Sequence, residues 1–251
     1  MTICVNLIGL FRSGTNYVRT LLEWNYDVKV NYDAYGWKHA VVPTFSNASR
    51  LTYPDGKVLV VVKNPYSVLP SWYKYAVNNG RNIRADTRSF GDFIRNRIYF
   101  RDDTNKSLAP EYYFPNPVQM WNSVVWNHVS VAEQTGGYIV EYEDVLCSPE
   151  EAASRIAHRL ALTPKSAEFI HPQNVVRNMG DRGSRENRSR YVTKKKFESS
   201  YYLDGEYFRE YREDDLIFVT KSLDADVITR SGIRLAKHGR SHSDISPAVY
   251  T

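Results

Sequence analysis

Gly9-Leu10-Phe11-Arg12-Ser13-Gly14-Thr15-Asn16-Tyr17 sits between an apolar run that starts at Ile3 and a helical pattern that starts at Asn16. The run from Ile3 to Gly9 is short and rich in Val, Ile and Leu, and a Ser-Gly-Thr turn breaks it, so it reads as a buried first strand. Asn16 to Trp24 then reads as a helix. A loop at such a junction points successive backbone N–H groups, and the positive end of the helix dipole, at one spot. The stretch therefore predicts an anion cradle on an alternating strand and helix framework.

The same alternation continues outward. Val58 to Val62 is a second fully apolar strand, followed by a helix from Tyr66 to Val77. A helix from Val118 to Glu133 leads into a third apolar strand at Tyr138 to Val140. Ser148-Pro149-Glu150-Glu151 supplies an N-cap serine, a proline at the first helical position and a capping glutamate, which predicts a helix to about Ala161. Thr163-Pro164 is expected to start another. Continuous apolar strands separated by helices predict an α/β fold, with a central, largely parallel sheet covered by helices on both faces. Residues 1–238 are expected to form one domain, and 239–251 a polar tail. Asn79 to Asn116, with a helix near Phe90 to Phe100, and the basic Gly180 to Lys196 interrupt the order. Excursions at strand ends shape ligand sites, so these two are expected to be an acceptor wall and a lid.

Composition narrows the partners without naming one. A net charge of +5 over 251 residues favours anionic partners, whether nucleic acid, anionic membrane surfaces or phosphate- and sulfate-bearing small molecules. Cys4 and Cys147 are too few for a disulfide framework or a metal cluster, which points to a reducing, cytoplasmic setting with two buried thiols. The N-terminal apolar run has no basic region ahead of it, no small-residue cleavage pattern and too few residues to span a bilayer, so neither signal peptide nor anchor is expected.

Gly9 and Gly14 also hold the spacing of the nucleotide-binding P-loop, but Thr15 stands where its Lys would reach the β- and γ-phosphates, and Asn16 where its Mg²⁺-binding hydroxyl would be. Such a loop suits a smaller anion held by backbone amides, Ser13, Thr15 and the Arg12 guanidinium, with no metal required. The bland alternative is a strand-helix turn with an incidental arginine. A second signal follows the second strand: Lys63 at its end and Ser71 in the next helix, both able to reach a phosphate from one side. Singly, each is an ordinary surface group.

Together these segments resemble the PAPS-dependent sulfotransferases, which use 3′-phosphoadenosine 5′-phosphosulfate (PAPS) and release adenosine 3′,5′-bisphosphate. Arg12-Ser13-Gly14-Thr15-Asn16-Tyr17 is similar to their 5′-phosphosulfate loop, Lys63-Asn64-Pro65 with Ser71 to their 3′-phosphate segment, and Tyr142-Glu143-Asp144-Val145 to a segment whose Tyr lies near the adenine. The resemblance implies a P-loop-like sulfotransferase architecture and transfer of a sulfuryl group to an acceptor hydroxyl or amine. It further implies Arg12 at the sulfate, Ser13, Gly14, Thr15 and Asn16 around the 5′-phosphate, Tyr17 stacked on adenine, Tyr142 beside it, and Lys63 and Ser71 at the 3′-phosphate. Lys63 stands where the family more often has Arg, so it would offer a point charge rather than a fork.

Transfer also needs a base for the acceptor's proton, and His39 in Tyr35-Gly36-Trp37-Lys38-His39 is the expected one, with Lys38 adding positive charge at the leaving group. A structural His39 is the plain alternative. Arg177 to Lys196 reads as a closing segment, a solvated loop or a contact for an acidic acceptor. Tyr112, Tyr113 and Phe114, and separately Tyr201, Tyr202, Tyr207 and Tyr211, are possible walls of an acceptor pocket. The acceptor is open among small-molecule, carbohydrate and peptide classes; no nucleic acid and no membrane span are expected. Two other functions stand beside this one: a degenerate P-loop nucleotide kinase or NTPase, and a non-catalytic polyanion- or nucleic-acid-binding protein.

Overall fold

A computed structural model of the chain describes residues 2–42, 55–78, 80–85, 87–102, 111–172 and 198–235, with the backbone alone at 174–176 and 192–196. Four parallel strands form the central sheet in the order β2-β1-β3-β7: β1 (Ile3–Gly9), β2 (Val28–Asn31), β3 (Lys57–Val62) and β7 (Tyr138–Glu141). Between β3 and β7 a second sheet of three antiparallel strands is inserted: β4 (Ile83–Ala85), β5 (Ile98–Arg101) and β6 (Glu111–Phe114).

Strand periodicity sorts the core into two layers. Val58, Val60 and Val62 of β3 face a cluster with Trp72 of α2 (Pro65–Asn78) and with Trp121 and Val125 of α4 (Pro117–Thr135). Leu59 and Val61 face the other way, onto Leu21 and Leu22 of α1 (Thr15–Asn25) and Ile156 of α6 (Pro149–Arg159). Every residue from Val58 to Val62 is at most 1% exposed, which is why the run is apolar without alternation. The remaining elements are α3 (Phe90–Arg95), α5 (Tyr142–Cys147), β8 (Asn174–Val176) antiparallel to β9 (Val192–Lys196), α7 (Ser200–Leu203), a short 3-10 helix (Glu206–Glu210), α8 (Glu213–Ser222) and α9 (Ala225–Ser231).

The α/β architecture with a parallel sheet and flanking helices agrees with the sequence expectation, and the expected strands and long helices fall within two residues of their observed ends. Four local expectations are corrected. The helix near Phe90 stops at Arg95, because Asn96 is extended (φ −89°, ψ 161°) and Ile98 and Phe100 alternate inward as a strand. No helix starts at Thr163-Pro164: the carbonyl of Thr163 accepts from Asp27 N–H (2.8 Å), and Pro164 bridges to Tyr26. The Ser148 side chain makes no capping bond, although its carbonyl accepts the Ala152 N–H at 2.9 Å. Nor are the thiols both buried, since Cys4 is half-buried and Cys147 exposed, both free. Most of the basic stretch 177–196, with Arg182, Arg185, Arg188 and Arg190, lies outside the described residues, as does the tail 239–251.

Among the described residues no helix is long and apolar enough to cross a membrane, and no cluster of His, Cys, Asp and Glu could hold a metal.

Candidate anion-binding site

The loop from Gly9 to Gly14 leaves β1 at the C-terminal edge of the parallel sheet and enters α1 through Gly14, which sits in the left-handed region (φ 84°). Its carbonyls are held by the scaffold. Gly9 O accepts from His39 Nδ1 (2.6 Å), Leu10 O from Ser13 N–H (3.0 Å), Phe11 O from Trp72 Nε1 (2.7 Å) and Arg12 O from Lys63 Nζ (3.3 Å). With its acceptors occupied, the loop offers donors: the first N–H groups of α1 have no partner inside the helix. Ser13 Oγ adds a buried hydroxyl with no hydrogen-bond partner. A buried polar atom left unpaired costs stability, and this hydroxyl is free to donate to an anion at the loop.

Two glycines are required for steric reasons. A Cβ on Gly9 would lie 2.6 Å from Val61 O and 2.9 Å from Ser13 Oγ. A Cβ on Gly14 would overlap the ring of Tyr142. Gly136 provides a control, because it too has a positive φ (62°) yet nothing lies within 4 Å of a Cβ there. Gly14→Ala is therefore expected to cost about 2–4 kcal/mol in denaturant unfolding, against about 1 kcal/mol for Gly136→Ala, which carries the backbone strain alone. Equal losses would show that the Tyr142 contact does not brace the loop.

The second motif converges on the first. Asn64 Oδ1 accepts from Tyr66 N–H (3.0 Å) and the Asn64 carbonyl from Val68 N–H (3.0 Å), which starts α2 directly after β3. Ser71, two turns into α2, then meets Arg12, whose Nε donates to Ser71 Oγ at 3.3 Å. Lys63 differs from the open strand-end charge that the sequence suggests. It is 1% exposed, with its ammonium 5.0 Å from the ring centroid of Tyr142 and 4.1 Å from that of Tyr202 on α7. Burial pulls its pKa down, while Tyr202 and the fully buried Glu143 favour its charge. Glu143 in turn accepts from Ser67 Oγ (2.8 Å) and the Asn64 N–H (3.3 Å).

Lys38 and His39 approach from the segment after β2. Lys38 Nζ donates to Asn16 Oδ1 (2.6 Å) and lies 3.5 Å from the centroid of the Tyr32 ring. Burial, with Arg19 nearby, lowers its pKa to about 7. The His39 ring is 7% exposed and stands edge-on to Phe11 and Trp37, at 5.4 and 4.9 Å between centroids. Because a carbonyl can only accept, Nδ1 carries the proton and the lone pair sits on Nε2. Burial first, and then the Lys38 charge, push the imidazole well below 6.5, so it is neutral at physiological pH. His128 is structural: its Nε2 pairs with Ala40 O (2.9 Å), and the adjacent Asn127 pairs twice with Val42, at 2.7 Å each.

The aromatic assignments divide. Tyr17, 8% exposed, packs in the core edge-on to Tyr142 (6.4 Å), and Tyr142, 4% exposed, lies against Gly14. Both therefore brace the loop in this structure. On the other side, Phe11 leads into Trp37, stacked on Phe100 at 5.3 Å and 21°, and from Phe100 to the half-buried Tyr112. From the Asn79 to Asn116 excursion, Phe100 thus packs into the core beside the loop, with the half-buried Tyr112 against it. Tyr113 is exposed and away from it, paired with Tyr99. Tyr201, Tyr207 and Tyr211 pack together with Phe208 and Tyr66, and only Tyr202 of that group reaches Lys63.

Sequence reasoning missed Trp72 as a part of the site, although its position next to Ser71 was a signal. Tyr202 was singled out for an acceptor wall, and its place over Lys63 had no signal, because it arrives from an element far along the chain. Comparison with protein-family models and with curated proteins finds no match to the chain.

Proposed function

We propose that this protein is a PAPS-dependent sulfotransferase, moving a sulfuryl group to an acceptor hydroxyl or amine. The observation that carries the reading is the contact between Arg12 and Ser71, which lie 59 residues apart and join the two phosphate-type motifs at one place. The orphaned Ser13 hydroxyl and the N-terminus of α1 fit the 5′-phosphate, and Lys38 lies at the Asn16 side of that cradle. Ser71 offers its hydroxyl to the 3′-phosphate, with Lys63 adding positive potential from beneath rather than a surface contact. Thr15 and Asn16 in place of the lysine and the metal-binding hydroxyl disfavour a Mg²⁺-triphosphate, and so the kinase alternative.

The donor supplies an activated sulfuryl group. Its bond from sulfur to the bridging phosphate oxygen breaks as the bond to the acceptor oxygen or nitrogen forms. Arg12 is placed to neutralise the charge that builds on the bridging oxygen. His39 takes the acceptor's proton on Nε2, while Nδ1–H on the Gly9 carbonyl fixes its tautomer. On the His39 side the half-buried Phe11 and Tyr112, backed by the buried Trp37 and Phe100, suit an acceptor with an apolar face.

Adenosine 3′,5′-bisphosphate is expected to raise the melting temperature without added metal, whereas ATP with Mg²⁺ and an oligonucleotide do so much less. Ser71→Ala is expected to weaken binding of the bisphosphate by about 1.5–3 kcal/mol, as for a hydrogen bond to a charged group, and to leave adenosine 5′-monophosphate nearly unaffected. Equal losses for the two ligands would remove Ser71 from the 3′-phosphate. Stabilisation by the oligonucleotide alone would favour the polyanion-binding alternative.

A further inference from the structure

Arg12 is held in the left-handed backbone region, with φ 65°, a conformation that costs a non-glycine residue about 1–2 kcal/mol. Such strain persists where the surroundings over-determine it. Two side chains do so here. Trp72 Nε1 donates to the Phe11 carbonyl (2.7 Å), which belongs to the peptide plane entering Arg12, and Lys63 Nζ donates to the Arg12 carbonyl (3.3 Å), in the plane leaving it. Peptide planes are rigid, so fixing both leaves the two dihedrals of Arg12 little freedom.

Both donors are themselves immobilised. Trp72 is fully buried in the cluster between the sheet, α2 and α4, and cannot swing away. The backbone of Lys63 is tied by Trp121 Nε1 to the Lys63 carbonyl at 3.0 Å, and Glu143 supports its charge. The adjacent Ser71 then receives the Arg12 side chain. Successive residues of α2 thus hold Arg12 by its backbone and by its guanidinium.

We infer that Trp72, with Lys63, clamps the two peptide planes that flank Arg12, so that Trp72 is a positioning residue which aims the guanidinium through a backbone it strains. The consequence for turnover rests on the sulfuryl-transfer reading; the clamp itself does not. A tryptophan that only fills the core would show no coupling to the backbone preference at position 12.

Amide hydrogen exchange on the unliganded full chain separates the two. The Ser13 N–H, bonded to Leu10 O at 3.0 Å, reports whether the loop is closed. Trp72→Phe keeps a ring and deletes the indole N–H, so the Ser13 amide is expected to exchange roughly tenfold faster while Val125 in α4 keeps its rate. In an Arg12→Gly background the same change is expected to have a much smaller effect, since glycine takes a positive φ without strain. In the wild-type chain the Trp72 indole proton and the Ser13 amide are expected to show matched protection factors, each rate taken relative to its own intrinsic rate, because one opening exposes both; this measurement needs no variant to fold. Unchanged Ser13 exchange in Trp72→Phe, equal acceleration in both backgrounds, or an indole proton that exchanges independently of Ser13 would each overturn the clamp. Failure of the wild-type chain to bind adenosine 3′,5′-bisphosphate would instead count against the functional reading and leave these exchange results standing. Where the bisphosphate does bind, Trp72→Phe is expected to lower kcat and leave the donor's KM little changed.

Discussion

His39→Asn is expected to lower turnover on an aliphatic alcohol by roughly 10²- to 10⁴-fold, the usual worth of a general base, with affinity for adenosine 3′,5′-bisphosphate held. Asparagine is the informative replacement because its amide nitrogen can replace Nδ1–H as the donor to the Gly9 carbonyl, now at 2.6 Å, yet it offers no basic Nε2. His39→Ala deletes both functions and cannot tell them apart. If His39→Asn keeps near wild-type turnover, the imidazole only braces the loop and the proton goes elsewhere. An acceptor that ionises unaided would hide the effect, which is why the alcohol is needed.

The pH profile gives the same assignment a second test. From sequence alone, a limb that ascends with pH not far from the ordinary imidazole value of 6.5 is expected, with no midpoint fixed, because Lys38 and Arg12 would lower it and PAPS would raise it. The structure moves it to more acid pH, because burial and the Lys38 charge both oppose protonation of the ring. The rate should therefore be flat through 6.5 and fall only in acid, as His39 gains a proton and loses its basic lone pair. Stability shifts with the same sign: an imidazole whose folded pKa lies below its unfolded value loses stability as pH falls beneath 6.5, since only the unfolded chain takes up the proton there. A limb near pH 7 with the opposite slope would point to Lys38, whose ammonium is lost around that pH in the free protein.

The parts of this site that were legible in the sequence are those whose physics is local. An apolar run that ends in a glycine, followed by a helical period, fixes β1, its loop and α1 within a few residues. The same holds for Lys63-Asn64-Pro65, where the Asn64 cap and Pro65 open α2. What escaped was set by contacts distant in sequence. β2, β4, β5 and β6 have only three or four residues each and show weak patterns, because their order comes from strand pairing and from the core behind them. The burial of Lys63 depends on Tyr202, and the strain at Arg12 on an indole 61 residues away from its acceptor. A strand-end lysine looks exposed until the element that covers it is placed.

Arg12→Ala is expected to cut turnover by roughly 10²- to 10³-fold, the range for removing one preorganised donor from a developing negative charge. Its effect on binding of the desulfated bisphosphate should be far smaller, because the charge that Arg12 meets grows as the sulfur leaves and is less developed in the ground state. The guanidinium is exposed and reaches Ser71 Oγ at 3.3 Å, so its loss leaves no buried group unpaired and gives the fold little reason to change. Alanine at this position still carries the positive φ of 65°, so the comparison holds backbone strain constant and isolates the side chain. Arg12→Lys should retain much of the activity, since an ammonium on a flexible stem can present the same charge without the fork. The decisive readout is the ratio of the two losses, from single-turnover rates and calorimetric binding of the bisphosphate. Parallel losses would make Arg12 a phosphate ligand only, and stabilisation of the leaving group would then have to come from Lys38 and the N–H groups at the start of α1.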